Sequence, residues 1–270
     1  MENHLQDLIL KDSGKELEKR MKTVKIRNLL IGEGRPKICV PLMGDREAVL
    51  RTAEGIKNGH ADLAEWRMDT DPDVKDEKAV IRTAKKLRET LGELPILFTF
   101  RSREEGGSAE LTEERYQSLN ESVICSGLAD LVDIEFFKDR QVVDDLIFMA
   151  RKKNVRTVLS SHDFQKTPSE EEIVNRLCAM QKAGADLAKI AVMPQSEEDV
   201  VRLLNATWKM KTQHQDTPVI TMSMGATGVP SRICGELFGS AVTFAAFEKA
   251  SAPGQLQLEE AYEILEKLHV

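Results

Sequence analysis

Eight times between residues 36 and 247 a short apolar run is followed by a stretch with helical periodicity, and this alternation limits the fold more than any other feature of the chain. The runs are 36–43 (PKICVPLM), 61–69 (ADLAEWRMD), 95–101 (PILFTFR), 131–137 (LVDIEFF), 156–162 (RTVLSSH), 187–193 (LAKIAVM), 218–224 (PVITMSM) and 241–247 (AVTFAAF). Near-continuous apolar strands belong to a parallel sheet covered on both faces. Eight such units predict an α/β chain of the (β/α)8 barrel type. An open, doubly wound sheet is disfavoured because no GxGxxG fingerprint follows the first strand.

Helix punctuation supports the division. Thr167-Pro168-Ser169-Glu170 reads as a capping box with proline at the first helical position, and Gly184 as the stop of that helix. Ser196, with Asp199 three residues on, opens another helix, and Gly59, Gly92 and Gly127 close three more. Residues 23–35 read as a β-hairpin with Gly32 and Gly34 near its turn or return, and we expect it to close the bottom of the barrel. Residues 1–20 are polar and charged and read as an extension outside a single barrel domain of residues 21–270.

The composition excludes several classes. A net charge of −7 argues against non-specific nucleic-acid binding, and no apolar stretch reaches the length of a membrane span or of a signal sequence. Cys39, Cys125, Cys178 and Cys234 are widely spaced without a CxxC pair, so they read as reduced packing residues of a cytoplasmic protein. None of the five histidines pairs with a cysteine at zinc-ligand spacing, and no metal site is expected.

A barrel places its chemistry at the C-terminal ends of its strands. Polar groups gather there: Glu65 and Arg67, Arg101 followed by Glu105, His162 before Phe164, Arg232 after the seventh strand, and Ser251 with Gln255 after the eighth. Lys189 stands inside an apolar strand, where an ammonium either escapes to the strand end or is used as an amine nucleophile. Three arginines at one mouth suit an anionic, hydroxylated small molecule, and their field would favour the neutral amine of Lys189. A lysine and a histidine on adjacent strands suit a Schiff-base enzyme with a proton shuttle. Taken singly, Glu65 with Arg67 could be a structural ion pair, and Arg101 could balance Glu104 or Glu105.

Five segments together resemble the type I 3-dehydroquinate dehydratases of the shikimate pathway. They are Glu65-Trp66-Arg67, Phe98-Thr99-Phe100-Arg101 with Glu105-Gly106-Gly107, Ser161-His162-Asp163-Phe164, Lys189-Ile190-Ala191-Val192-Met193-Pro194, and Ser251-Ala252-Pro253-Gly254-Gln255. The resemblance runs from about Met21 to the C-terminus. It implies cofactor-free dehydration of 3-dehydroquinate to 3-dehydroshikimate by a cytoplasmic homodimer. Lys189 would form an imine with the C3 ketone, His162 would shuttle the proton, and Glu105 would orient His162. Arg232 would hold the substrate carboxylate. Glu65, Arg67, Arg101, Ser251 and Gln255 would bind hydroxyls, with Met222 and Phe164 as apolar walls. Pro41 stands where some members carry serine. From the residues alone, a lysine-dependent aldolase or a non-catalytic binder of an acidic metabolite remain alternatives, the latter disfavoured because binding needs neither Lys189 nor His162.

Overall fold

The computed structural model describes residues 22–269; the extension expected over residues 1–20 lies outside the described residues. A two-stranded antiparallel hairpin, β1 (Val24–Ile26) and β2 (Leu29–Ile31), precedes the barrel. Its turn is Arg27-Asn28, with Arg27 at φ 52°, so Gly32 and Gly34 belong to the return and not to the turn. Eight parallel strands follow: β3 (Lys37–Leu42), β4 (Leu63–Arg67), β5 (Ile96–Thr99), β6 (Leu131–Glu135), β7 (Arg156–Asp163), β8 (Leu187–Val192), β9 (Val219–Ser223) and β10 (Val242–Phe244). They are ordered β10-β3-β4-β5-β6-β7-β8-β9. Between β9 and β10 the circle closes through one bridge, Val219 to Ser240, with the Ala241 N–H donating to the Val219 carbonyl at 2.8 Å. The chain is a (β/α)8 barrel.

The outer layer comprises α1 (Arg46–Ile56), α2 (Glu77–Leu91), α3 (Glu113–Ser126), α4 (Arg140–Lys152), α5 (Glu170–Ala183), α6 (Glu197–Gln213), the short α7 (Val229–Ile233) and α8 (Gly235–Phe238), and α9 (Leu258–Leu268). Two helix starts differ from expectation. Ser169, not Thr167, caps α5, its Oγ accepting from the Glu172 N–H at 3.2 Å, while the Thr167 hydroxyl donates to the Met193 carbonyl. At α6 the Ser196 side chain makes no capping bond; instead Asp199 reaches back to accept from the Gln195 N–H at 2.7 Å. Either arrangement satisfies an otherwise orphaned N–H. Of the cysteines, all free, Cys39 is buried as a packing residue, whereas Cys125 is exposed, with its Sγ 3.7 Å from Met149 Sδ.

Side-chain parity along each strand divides the core. One set packs outward beneath the helices, including Val40, Trp66, Phe98, Ile134, Leu159 and Ile190. The inward set makes an apolar floor from Leu63, Leu97, Leu131, Val158, Leu187, Ile220 and Val242, and the hairpin lays Val24, Ile26 and Ile31 against it. The hairpin thus closes the bottom of the barrel, as expected.

A repeat organises the same end. Gly59-His60-Ala61-Asp62-Leu63, Gly127-Leu128-Ala129-Asp130-Leu131 and Gly184-Ala185-Asp186-Leu187 each lead into an even-numbered strand. In each, the aspartate accepts the backbone N–H that starts the preceding strand: Ile38 at 2.8 Å, Ile96 at 2.8 Å and Thr157 at 2.9 Å. Each aspartate also takes an arginine: Arg35 for Asp62, Arg27 and Arg88 for Asp130, Arg156 for Asp186. A carboxylate can accept several charged and backbone donors at once, which suits this residue to pinning strand starts. Asp130 also ties the hairpin to the barrel through Arg27. Asp130→Ala should strand two partly buried guanidinium groups and one strand N–H, lowering stability by on the order of 3 kcal/mol. Urea unfolding monitored by circular dichroism checks this.

Candidate active site

The C-terminal mouth of the barrel holds a cavity lined by residues from β4, β7, β8, β9 and β10 and from the segments that follow β5, β7, β9 and β10. Of the residues singled out from sequence, Glu65, Arg67, Arg101, Glu105, His162, Phe164, Lys189, Met222, Ser251 and Gln255 all line it. Arg232 stands behind this lining, its Nη1 at 3.9 Å from Met222 Sδ. Lining residues that were not assigned to the site from sequence are Gly106, Ala191, Met224, Phe244 and Ala252.

Lys189 projects inward from the middle of β8 and is only 4% exposed. Its Nζ lies 3.4 Å from Glu65 Oε1 and 3.5 Å from Asp133 Oδ2, and 4.5 Å from the centroid of the Phe244 ring. The nearest charges to this nitrogen are therefore carboxylates, not the arginines invoked from sequence. Glu65 Oε1 also accepts the Thr99 hydroxyl at 3.0 Å, while Oε2 carries no hydrogen bond among the described residues.

His162 Nδ1 meets Glu105 Oε2 at 2.8 Å, and Nε2 has no protein partner among the described residues. Burial, reinforced by the charges of Arg101, Lys189 and Arg67, holds the His162 imidazole well below its ordinary 6.5 and so favours the neutral ring. Burial also pushes Glu105 up to about 8; Arg101 opposes this, while Glu135 and Asp133 add to it. The 2.8 Å contact between Nδ1 and Glu105 Oε2 fixes the ring.

Arg101 is the hub below the mouth. Its Nη1 reaches Glu105 at 3.3 Å, Glu135 at 3.0 Å and Ser160 Oγ at 3.0 Å, and its Nη2 lies 2.7 Å from Asp133. Arg67 does not pair with Glu65. It makes a bidentate pair with Asp69, at 2.7 and 2.9 Å. Burial works against the Asp69 charge, but Arg67 and the N–H groups of Ser108 and Arg101 outweigh it and hold the carboxylate below its usual range.

The Glu105-Gly106-Gly107 segment has a steric reason. Gly106 sits at φ 83°, and a Cβ there would come within 2.1 Å of the Phe164 ring; one on Gly107 would come within 1.9 Å of the Arg101 carbonyl. These contacts let a 3-10 turn over Arg103–Glu105 lay Glu105 against His162.

Arg232, 3% exposed, has no carboxylate within ion-pair distance among the described residues. Its Nε is buried without a partner, its Nη2 donates to the Pro253 carbonyl at 3.1 Å, and burial alone lowers it to about 10. A buried cation left without a counter-ion is a receptor for an anion. Pro253 belongs to the loop after β10, in which the Ser251 N–H donates to Gln255 Oε1 and Gln255 Nε2 donates to Ser251 Oγ, each at 2.8 Å. The functional residues missed from sequence are Asp133, Ser160 and Glu135. Period-two parity would have found them, since LVDIE turns Asp133 and Glu135 to the same face as Leu131, and Ser160 shares a face with His162.

A profile for the family described as type I 3-dehydroquinase matches residues 38–270. The chain belongs to the type I 3-dehydroquinase family. It is an enzyme of the hydro-lyase class. It is 51% identical to the 3-dehydroquinate dehydratase of Bacillus licheniformis, over 92% of this chain and 98% of the relative. With that of Clostridioides difficile it shares 47% identity, over 91% and 97%. A crystal structure of the type I 3-dehydroquinate dehydratase from Clostridium difficile, with covalently modified comenic acid, superposes at a TM-score of 0.90 with 46% identity, covering 92% of this chain and 98% of that one. The Geobacillus kaustophilus 3-dehydroquinate dehydratase structure superposes at 0.88 with 42% identity, covering 92% and 96%.

In this type I 3-dehydroquinase the loop after β10 is pinned at a glycine. Gly254 has φ 78°, and a Cβ there would lie 2.1 Å from the Gly225 carbonyl. Gly254→Ala should lift the loop from β9, at a strain of about 1–3 kcal/mol. Limited proteolysis within residues 248–256 should then be faster than in the parent while the circular dichroism spectrum is unchanged. Equal cleavage rates would count against the loop being held there.

Proposed function

We infer that residues 21–270 form one catalytic domain that dehydrates 3-dehydroquinate to 3-dehydroshikimate, the third step of chorismate biosynthesis, through an imine on Lys189. The observation that carries this reading is the buried Lys189 amine facing the same cavity as the His162–Glu105 pair, in a barrel of this family. The aldolase and binder alternatives have no comparable support.

The Lys189 nitrogen attacks the C3 ketone, forming a C–N bond as a proton passes to the oxygen; loss of water leaves an iminium. The iminium draws electrons from the adjacent C2–H bond, and His162 takes that proton. As the enamine re-forms the iminium, the C1–O bond breaks and His162 returns the proton to the departing hydroxyl, which leaves as water. Hydrolysis of the iminium then releases product and restores the amine. The neutral state of His162 suits it to the first transfer, and Glu105 supports the ring through Nδ1 while Nε2 is free for the substrate.

Arg232, buried without a carboxylate partner, suits the substrate carboxylate, and Glu65 Oε2 is a free acceptor for a hydroxyl. Arg67, Arg101, Ser251 and Gln255 supply the remaining polar contacts, with Met222 and Phe164 as walls. The Arg232 bond to the Pro253 carbonyl joins the carboxylate clamp to the loop carrying Ser251 and Gln255, so one ligand group can steady both. The reading calls on no cofactor. It carries a cytoplasmic homodimer as well, which sedimentation at micromolar concentration tests.

Two measurements bear on the chemistry. Borohydride added with 3-dehydroquinate should inactivate the enzyme and leave a reduced secondary amine on the peptide containing Lys189, located by mass spectrometry. Lys189→Met should remain folded, since Asp133 keeps Arg101 as partner, yet neither turn over nor be trapped. An adduct on another lysine would sink the imine assignment. Secondly, the acidic limb of kcat/KM should fall below pH 6.5, because a histidine depressed by burial stays in its base form as pH drops through its ordinary value. An acidic limb at or above pH 6.5 would remove His162 as the base.

A further inference from the structure

Asp133 lies beneath the cavity and does not line it, yet it is among the most constrained side chains in the molecule. It is fully buried on β6. Oδ1 accepts the Ser160 hydroxyl at 2.6 Å and faces Arg101 Nη2 at 2.7 Å, and Oδ2 faces Lys189 Nζ at 3.5 Å. One hydrogen bond and one ion pair hold the first oxygen in place, and the remaining oxygen faces the nitrogen that would carry the imine. Glu65, the other acid near Nζ, contacts the cavity and has an oxygen available to a ligand, whereas Asp133 can reach a ligand only through Lys189.

We propose that Asp133 is the positioning residue and fixed counter-ion of the Lys189 nitrogen: held by Ser160 and Arg101, it keeps that nitrogen aimed at the cavity and stabilises the positive charge it bears as an iminium. The inference rests on the imine reading above. No proton is exchanged by Asp133 in this role; its contribution is electrostatic, and the charge it opposes is the one that makes the iminium an electron sink. A preorganised charge in a dry site is effective because nothing must reorganise when the iminium forms. The surroundings keep Asp133 ionised: burial opposes its charge, but Arg101, Lys189 and the Ser160 hydroxyl hold it below the usual carboxylate range. Glu105 differs, since burial raises it to about 8.

Asp133→Asn keeps the shape and the bond from Ser160 while removing the charge. With 3-dehydroquinate, kcat per trappable site should fall by about 10²–10³-fold, the range seen when one preorganised electrostatic group is lost from an active site. KM should stay within about threefold, because no substrate contact is removed. The pH profile of borohydride trapping should move to lower pH, because a carboxylate beside an amine favours its protonated form. Ser160→Ala, which removes the hydroxyl from Oδ1 and leaves Arg101 on it, should lower kcat per trappable site by about tenfold with KM within about threefold; it serves as the test if Asp133→Asn does not fold. Wild-type kcat per trapped site in the folded variants and an unmoved profile in Asp133→Asn would overturn the proposal, as would a loss appearing only as a lower Tm. The parent enzyme separates the two readings. A parent adduct absent from Lys189 refutes the imine itself, whereas a Lys189 adduct in the parent with undiminished turnover in both variants refutes only the role of Asp133.

Discussion

The site depends on one buried guanidinium. Arg101 reaches Glu105, Asp133, Glu135 and the Ser160 hydroxyl from a position 3% exposed to solvent. Inward positions at this level of a barrel are ordinarily filled by branched aliphatic side chains; here they are Thr99, Asp133, Ser160 and Lys189. Burying so many carboxyl groups is tolerable only because Arg101 and Lys189 lie among them. Removing Arg101 would leave Asp133 with Lys189 at 3.5 Å and Glu135 with Lys138 at 3.6 Å as their remaining cationic partners. The same network that makes the middle of the barrel costly to desolvate holds the Glu105–His162 contact and Lys189 in place, so scaffold and chemistry share one set of bonds.

Such a layer needs a rigid frame beneath it. The frame is an apolar floor with the hairpin packed on its underside, and a polar ring at the strand starts in which Asp62, Asp130 and Asp186 each join two neighbouring strands and at least one arginine. The division of labour is typical of barrels: the N-terminal end carries stability and the C-terminal end carries chemistry. Because the aspartates bind the backbone that begins β3, β5 and β7, they set strand register, and register decides which side chains face inward. A one-residue slip in β6 would turn Asp133 and Glu135 out toward the helices and bring Val132 and Ile134 into the interior.

The upper boundary is built differently. The loop after β10 is held by backbone contacts to Gly225, by the Ser251–Gln255 bonds within it and by Arg232 donating to Pro253. These are few and close to the surface, the kind of contact set that opens at small cost. A ligand that engages Arg232 therefore acts on the same residue that holds the loop, whereas the groups beneath have no comparable freedom.

Much of this protein was legible in the sequence. The alternation of apolar runs with amphipathic stretches specified eight strands and their order, because burial on both faces leaves a parallel strand no polar positions except those with a task. For that reason Lys189 stood out, and strand-end position alone collected Glu65, Arg67, Arg101, His162 and the distant Ser251 and Gln255. The Gly-(x)-Ala-Asp-Leu repeat was also there to be read, but its meaning, a carboxylate bound to the preceding strand's backbone, is a relation between segments far apart in the chain. Pairing was likewise decided only by the tertiary structure. Arg67 chose Asp69 over Glu65, Arg101 took Asp133 and Glu135 in addition to Glu105, and Lys189 came to rest between two carboxylates and not in a field of arginines. Sequence determines which residues face inward, through a period of two; which inward residues touch depends on how far each strand is staggered against its neighbour, and that is settled only when the barrel closes.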